Sequence, residues 1–404
     1  MHIYDYIIIG AGLSGLSIAQ KISKETDNIL VLEAQEQIGG SNHAAQLKNQ
    51  KINNGLRFFP AHESAIKTIS FLEEVLNEKV YTDIIENTPE TYESSGFKKF
   101  VGFGDKSVDF YTQFSYFLSA HELKLISQPY EWVQTLKNSL STKILTKSIV
   151  TRFGFEGLDS EHPTLTHVVV NGSKSYHARH FIFAGPVKEL GLLLPDDVFN
   201  VRAKAKLKKS QAWHAVCVDF AHKHTQPQEN IFVLNGTTDD DIGPCVGRFL
   251  PSQTIASTNE VSETPIQEAA SPSSTKPTLQ ISQWLSFIDS ELAEDTENIG
   301  LVLKKIKRQI KRAFPEVADS FVQERICISP ALSGSDLKLN ANQSFPKINN
   351  LWIASPQVST TPNLMGALQQ AQLVLAALGF VSSLDLHQHQ SSESAEADTT
   401  TDLT

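Results

Sequence analysis

The first thirty-three residues read as an apolar block, a glycine-punctuated turn, a periodic block and a second apolar block. Tyr4-Asp5-Tyr6-Ile7-Ile8-Ile9 ends in consecutive β-branched residues with no polar alternation, the pattern of a strand covered on both faces. Gly10, Gly12 and Gly15 follow at the G-x-G-x-x-G spacing, Leu16–Lys24 reads as a helix, and Asn28–Leu32 reads as a second buried strand. Strand, glycine turn, helix and strand together form the context that makes this spacing a dinucleotide fingerprint. Gly10 permits the tight turn, Gly12 lets a diphosphate approach the backbone, and Gly15 lets the helix pack close to the strand. Unpaired N–H groups at the helix start then favour an anion. Glu33 closes the second strand, where a carboxylate can accept from ribose hydroxyls and disfavours a phosphorylated ribose. FAD or NAD is expected rather than NADP.

Ile66, Ile69, Leu72, Val75 and Leu76 predict a helix over 61–76, and Trp132, Val133, Leu136 and Leu140 another over 129–140. Residues 80–125 carry many aromatics without a period, including Phe110, Tyr111 and Phe114, and are read as a strand-rich cap with its own small core. Residues 143–150 read as a strand. Asn171-Gly172 between Val168-Val169-Val170 and the run Tyr176–Ala184 predicts a hairpin, since Asn-Gly suits the backbone of a tight β-turn. The run over 206–220 alternates and predicts a strand, with His214 satisfied inside the sheet rather than serving substrate. A helix over 301–314 turns Leu303, Ile306, Ile310 and Ala313 inward and Lys304, Lys305, Lys307, Arg308, Lys311 and Arg312 outward. A solvated basic face, offset by the acids of 289–297, is favoured there over peripheral membrane contact. Residues 252–277, rich in Pro, Ser, Thr and Glu and free of glycine, are read as a disordered insert, and 381–404 as a disordered acidic tail.

At 404 residues the chain can hold two domains, and 40% hydrophobic with 20% charged residues is a globular composition. A net charge of −10 argues against nucleic acid as a partner. Cys217, Cys245 and Cys327 show no metal-ligand or redox spacing and are read as reduced thiols. With no membrane-length apolar run and no basic leader pattern, the cytoplasm is the expected location.

The order strand, G-x-G-x-x-G, helix, strand, Glu33-Ala34, Gly39-Gly40, then Asn54-Gly55-Leu56-Arg57-Phe58 resembles the FAD-dependent amine oxidase superfamily, which includes protoporphyrinogen oxidase and the carotenoid desaturases. His180–Pro186 and Asn350–Pro356 resemble the strands by which that superfamily re-enters its FAD-binding part, and 361–378 its closing helix. The resemblance implies an α/β fold. Its Rossmann-like FAD-binding domain would be discontinuous (1–60, 143–190 and 321–380), with an inserted α+β substrate domain (61–142 and 191–320). It implies FAD held by Gly10, Gly12, Leu13, Ser14, Gly15, Glu33, Ala34, Gly40, Ser41, Gly55, Leu56, Arg57, Phe58, Val150, Ser355 and Met365. It also implies removal of a hydride equivalent from an apolar or amine small molecule, with no catalytic side chain assigned. Two positions depart from the pattern. Ser41 stands where many members carry Arg after Gly-Gly, and Ser355-Pro356 stands where most have Gly-Asp or Gly-Glu. Arg57 is the candidate replacement cation. The alternatives are a non-redox flavin-dependent isomerase and a non-catalytic lipid or prenyl-protein binder on the same fold.

Overall fold

The computed structural model describes residues 2–93, 96–103, 115–209, 212–227, 229–234, 244–251, 253–254, 278–329, 337–359 and 361–381. Most of the expected insert (255–277), nearly all of the expected tail, and Phe110, Tyr111 and Phe114 lie outside these residues.

The N-terminal pattern folds as read: strand β1 (Ile3–Ile9), helix α1 (Leu13–Ile22) and strand β2 (Ile29–Leu32). The helix begins three residues earlier than its periodicity implied, because extended Gly12 already occupies the N-cap. Gly15 therefore falls in the first turn. β1 is central in a seven-stranded sheet. On one side it pairs in parallel with β2, and β2 with Lys143–Leu145. On the other it pairs in parallel with Lys174–Phe183, which also pairs in parallel with Leu351–Ile353. Antiparallel strands Thr164–Val170 and Val150–Glu156 complete the sheet. The hairpin at Asn171-Gly172 is present, both residues having positive φ (50° and 75°). The strand expected over 143–150 is broken, because the chain turns at Lys147 (φ 52°) before Val150–Glu156 begins.

A parallel sheet must be covered on both faces. One cover comes from α1, Glu63–Leu76, Pro129–Ser139 and Asn363–Ala377, through Leu16, Ile69, Leu72, Trp132, Leu136, Leu368 and Val374. The other comes from Leu190, Leu193, Leu194, Val198 and Leu207, with Phe345 and Ile348. Parts of 61–142 and 191–209, expected with the substrate part, thus pack on the dinucleotide sheet. Amphipathic periodicity shows that a helix must cover something, but does not say what.

The second sheet runs Phe321–Ile328, Trp213–His222, Thr278–Asp289, Cys245–Phe249, Ile231–Leu234, Glu90–Glu93 and Gly96–Lys99. Three expectations change here. Val201–Lys209 is helical, so the strand expected from 206 starts only at Trp213. Phe321–Ile328, expected with the FAD-binding part, pairs with Trp213–His222. Gln253–Thr254, at the start of the expected insert, pairs with Thr278–Asp289.

Helix Thr296–Ala313, capped by Asp295 through the Glu297 N–H, covers one face of this sheet. It buries Val302, Ile306, Ile310 and Ala313 against Phe220, Phe249 and Trp284, the valine and each isoleucine worth about 1.5–3 kcal/mol. Of its basic residues, Lys307 pairs with Glu324 at 2.6 Å and Lys311 with Asp319. The opposite face carries Ala215, Cys217, Leu285 and Phe287 against Leu56, Phe58 and Phe117. Among the described residues of the aromatic segment, Tyr92 and Phe97 join the helix-covered face, and Phe100, Phe103, Tyr116 and Phe117 join the other, instead of forming a core of their own. His214 is satisfied in the sheet, its Nδ1 lying 2.8 Å from the Ser329 carbonyl, and burial pulls its pKa down.

Candidate functional site: a dinucleotide cleft

A cleft of about 670 Å³ opens at the C-terminal ends of β1, β2 and Lys174–Phe183, where open α/β sheets bind ligands. Three groups of residues line it. The first surrounds Glu33: Ala34, Ser148, Ile149, Val150 and Glu189. The second is the glycine turn, Gly10, Gly12, Leu13 and Ser14, with Gly39, Gly40 and Ser41. The third joins Asn54 with Ser355, Pro356, Gln357, Asn363, Leu364 and Ala367.

The turn is built by three glycines with different reasons to be glycine. Gly10 adopts φ +108°, which disfavours any side chain. A Cβ on Gly15 would stand 2.0 Å from the Gly10 carbonyl oxygen, so α1 can press onto the turn only without one. Gly12 has φ −77° and ample room: a Cβ there would meet nothing nearer than the Gly40 Cα at 4.0 Å. Its missing side chain leaves the cleft open rather than relieving the backbone. The Gly39 N–H donates to the Ala11 carbonyl at 2.7 Å, which brings Gly39-Gly40 alongside the turn. No side chain caps α1 and its first turn holds no acid, so its N–H groups are suited to an anion. The Ser14 hydroxyl donates to the Ala354 carbonyl at 2.6 Å and ties α1 to the last strand.

Glu33 is buried, with one carboxylate oxygen accepting from the Ala11 N–H at 2.7 Å and the other from the Gln35 N–H at 2.8 Å. Each oxygen retains a second acceptor site. Glu189 is a second acid in the wall; burial first, then the charge of Glu33, push its carboxyl pKa up. Asn54 is held from both ends. Its Nδ2 donates to the Ser41 carbonyl at 3.3 Å, and its Oδ1 accepts from Arg325.

Six residues expected at the cofactor do not line this cleft. Gly15 lies behind the turn. Gly55 is pressed against the Ser41 carbonyl, 2.9 Å from where its Cβ would be. Leu56 and Phe58 point into the apolar cluster under the second sheet. Met365 is buried against α1, because Asn363, Leu364 and Ala367 share the helix face that meets the cleft. Arg57 is not a replacement cation at the cleft. Its guanidinium is 4% exposed and forked onto Asp219 at 2.7 and 3.1 Å, with a further bond of 2.9 Å to the Asn53 carbonyl. Among the described residues, no Lys or Arg lines the cleft.

The cleft also takes in Glu189, Gln357 and Asn363, which no sequence motif marks, and of the stretch Asn54–Phe58 only Asn54 lines it. Gln357 lies in the wall, where its side-chain carbonyl also accepts from the Val187 N–H at 2.6 Å, a long-range contact with no local signature.

The fold and the position of the cleft are of Rossmann type. Residues 8–75 match the family profile of the NAD(P)-binding Rossmann-like domain. Flavin-containing amine oxidase A of Equus caballus is 38% identical over 52 residues, which is 13% of this chain and 10% of that protein. That match spans about a tenth of the curated relative. Among solved structures, an oxidoreductase from Methanosarcina mazei superposes with a TM-score of 0.64 at 12% identity, covering 92% of this chain and 100% of that one. Putrescine oxidase bound to putrescine gives 0.60 at 11%, covering 93% and 99%. The chain therefore shares the fold of these oxidoreductase structures.

Proposed function

We propose that this protein is an FAD-dependent oxidoreductase that removes a hydride equivalent from an apolar or amine small molecule. One observation carries this reading: a single cleft joins a ribose-binding acid, an uncapped helix N-terminus at a glycine turn, and a further helix start at Asn363. The residues fit FAD. The carboxylate of Glu33 has acceptor sites left for ribose hydroxyls, the N–H groups of α1 suit the diphosphate, and the space left by Gly12 admits it. Asn54 and the start of Asn363–Ala377 flank the remaining part of the cleft, where a helix N-terminus favours negative charge. When bound, FAD would supply the hydride acceptor, and the protein would supply orientation and exclusion of water.

The likeness to amine and putrescine oxidases supports an amine substrate. The two sheets support a discontinuous dinucleotide part with a substrate part inserted. Free cysteines and the lack of a membrane-crossing helix among the described residues support work in the cytoplasm.

The test is the visible spectrum of the purified protein, then heat release of any chromophore. Flavin absorption with FAD released is the expected result. A colourless protein that also fails to take up added FAD overturns the proposal.

A further inference from the structure

A second cavity, about 880 Å³, adjoins the dinucleotide cleft. It lies between the hairpin Ala44–Leu47/Gln50–Asn53 and helix Pro129–Ser139, and shares Glu36, Gln37 and His43 with the cleft. None of the glycine turn reaches it. In a chain of net charge −10, its lining is nevertheless cationic: Lys51, Lys137 and Arg325 face one carboxylate, Glu36.

That carboxylate is already engaged, since Lys147 holds it at 2.8 Å. Lys51 and Lys137 form no ion pair among the described residues. Arg325 has only a share of a counterion: Asp219 accepts from it at 3.1 Å while also holding the fork of Arg57. Positive charge therefore exceeds negative charge at this wall. The dinucleotide cleft, free of Lys and Arg among the described residues, does not account for these cations. Between them lie Ile38, Ala44, Ala45 and Ile144, so the lining is half apolar.

We propose that this cavity is a second binding site, and that it takes an organic anion bearing two or more negative charges on a partly apolar skeleton. The volume is that of a small-molecule pocket. Lys51 reaches it from the hairpin and Lys137 from the helix, so two separate elements each contribute a mobile point charge. Arg325 adds planar N–H donors that are fixed by Asp219 and Asn54. The apolar side chains accommodate the body of the ligand, and the site stands whether or not FAD occupies the neighbouring cleft.

Pyridoxal 5′-phosphate, a phosphorylated aromatic aldehyde, is the probe. Its aldehyde condenses with lysine amines held near an anion site, and borohydride fixes the adduct for peptide mapping. In the whole protein, Lys51 and Lys137 are expected to be labelled at roughly tenfold lower reagent than other lysines. Inorganic pyrophosphate at constant ionic strength is expected to suppress that labelling selectively. Even labelling of exposed lysines overturns the proposal, and so does labelling of this pair that pyrophosphate leaves unchanged. Because no lysine among the described residues lines the dinucleotide cleft, pyrophosphate bound there does not mimic protection. The K51Q/K137Q variant, altered at two exposed positions, is expected to fold normally and to bind pyridoxal phosphate about tenfold more weakly in calorimetry. Unchanged affinity overturns the proposal.

Discussion

The dinucleotide cleft and the seam where the segment around Arg57 meets the second sheet are built from opposite materials. Backbone makes the cleft: a positive-φ glycine, an uncapped helix start and a Gly-Gly segment bonded to the turn by main-chain atoms. Side chains make the seam. Asp219, 1% exposed, accepts from Arg57, Arg325 and Gln283, while Arg248 reaches Glu122 and the Arg57 carbonyl. Backbone devices hold a ligand by geometry and tolerate no bulk. Buried charges hold two segments in one arrangement and tolerate no missing partner.

The strongest attack on that contrast is Asp219→Ala, which strands Arg57 as an uncompensated buried cation. Urea unfolding should show a loss of about 3–5 kcal/mol. The double replacement Arg57→Met/Asp219→Leu should cost much less than the single one, because it buries no lone charge. A loss of under about 1 kcal/mol for Asp219→Ala would mean that apolar packing alone holds the segment around Arg57 on the second sheet.

The glycines separate stability from binding within the cleft. Gly15→Ala drives a methyl to 2.0 Å from the Gly10 carbonyl oxygen and should cost about 1–3 kcal/mol of stability. Gly12→Ala meets no atom within 4.0 Å, so it should unfold within about 1 kcal/mol of the parent. Its flavin affinity should nevertheless fall about tenfold or more, since the methyl occupies ligand space. Equal effects of the two changes on stability would erase the distinction drawn between them.

Ser41→Arg sharpens the comparison by putting a side-chain cation into a cleft that no Lys or Arg among the described residues lines. FAD titration should tighten several-fold, in keeping with a charge-assisted contact of about 1.5–3 kcal/mol less the cost of ordering the side chain. Unchanged affinity would mean that the helix terminus alone suffices.

The smallest effect concerns pH. Burial lowers the pKa of His214 and of the fully buried His222 from the ordinary 6.5, so both are neutral in the folded chain and bind protons more readily when unfolded. Their contribution is present above pH 6.5 and is lost as pH falls through the folded-state values. Melting temperature should drop between pH 7.5 and about 5.5, and His222→Gln should flatten the drop. A profile that the substitution leaves unchanged would remove His222 from the account.

What was legible in the chain follows from range. The turn at Gly10–Gly15, the carboxylate of Glu33 and the Asn171-Gly172 hairpin each depend on a few neighbouring residues, so spacing and type revealed them. The place of Arg57 was not legible, because its partner lies 162 residues away and nothing near Asp219 announces it. Met365 was chosen where Asn363, Leu364 and Ala367 line the wall, since helix rotation relative to a cleft is set by packing on α1.

Local steric demand and strand–helix periodicity, by themselves, determined that this chain carries a dinucleotide-type βαβ unit and where its glycines must stand. Tertiary structure alone decided which helices cover which sheet, which cations face a cavity and which are consumed by a buried acid. Those outcomes depend on desolvation and on pairing between distant residues, and a linear pattern does not record either.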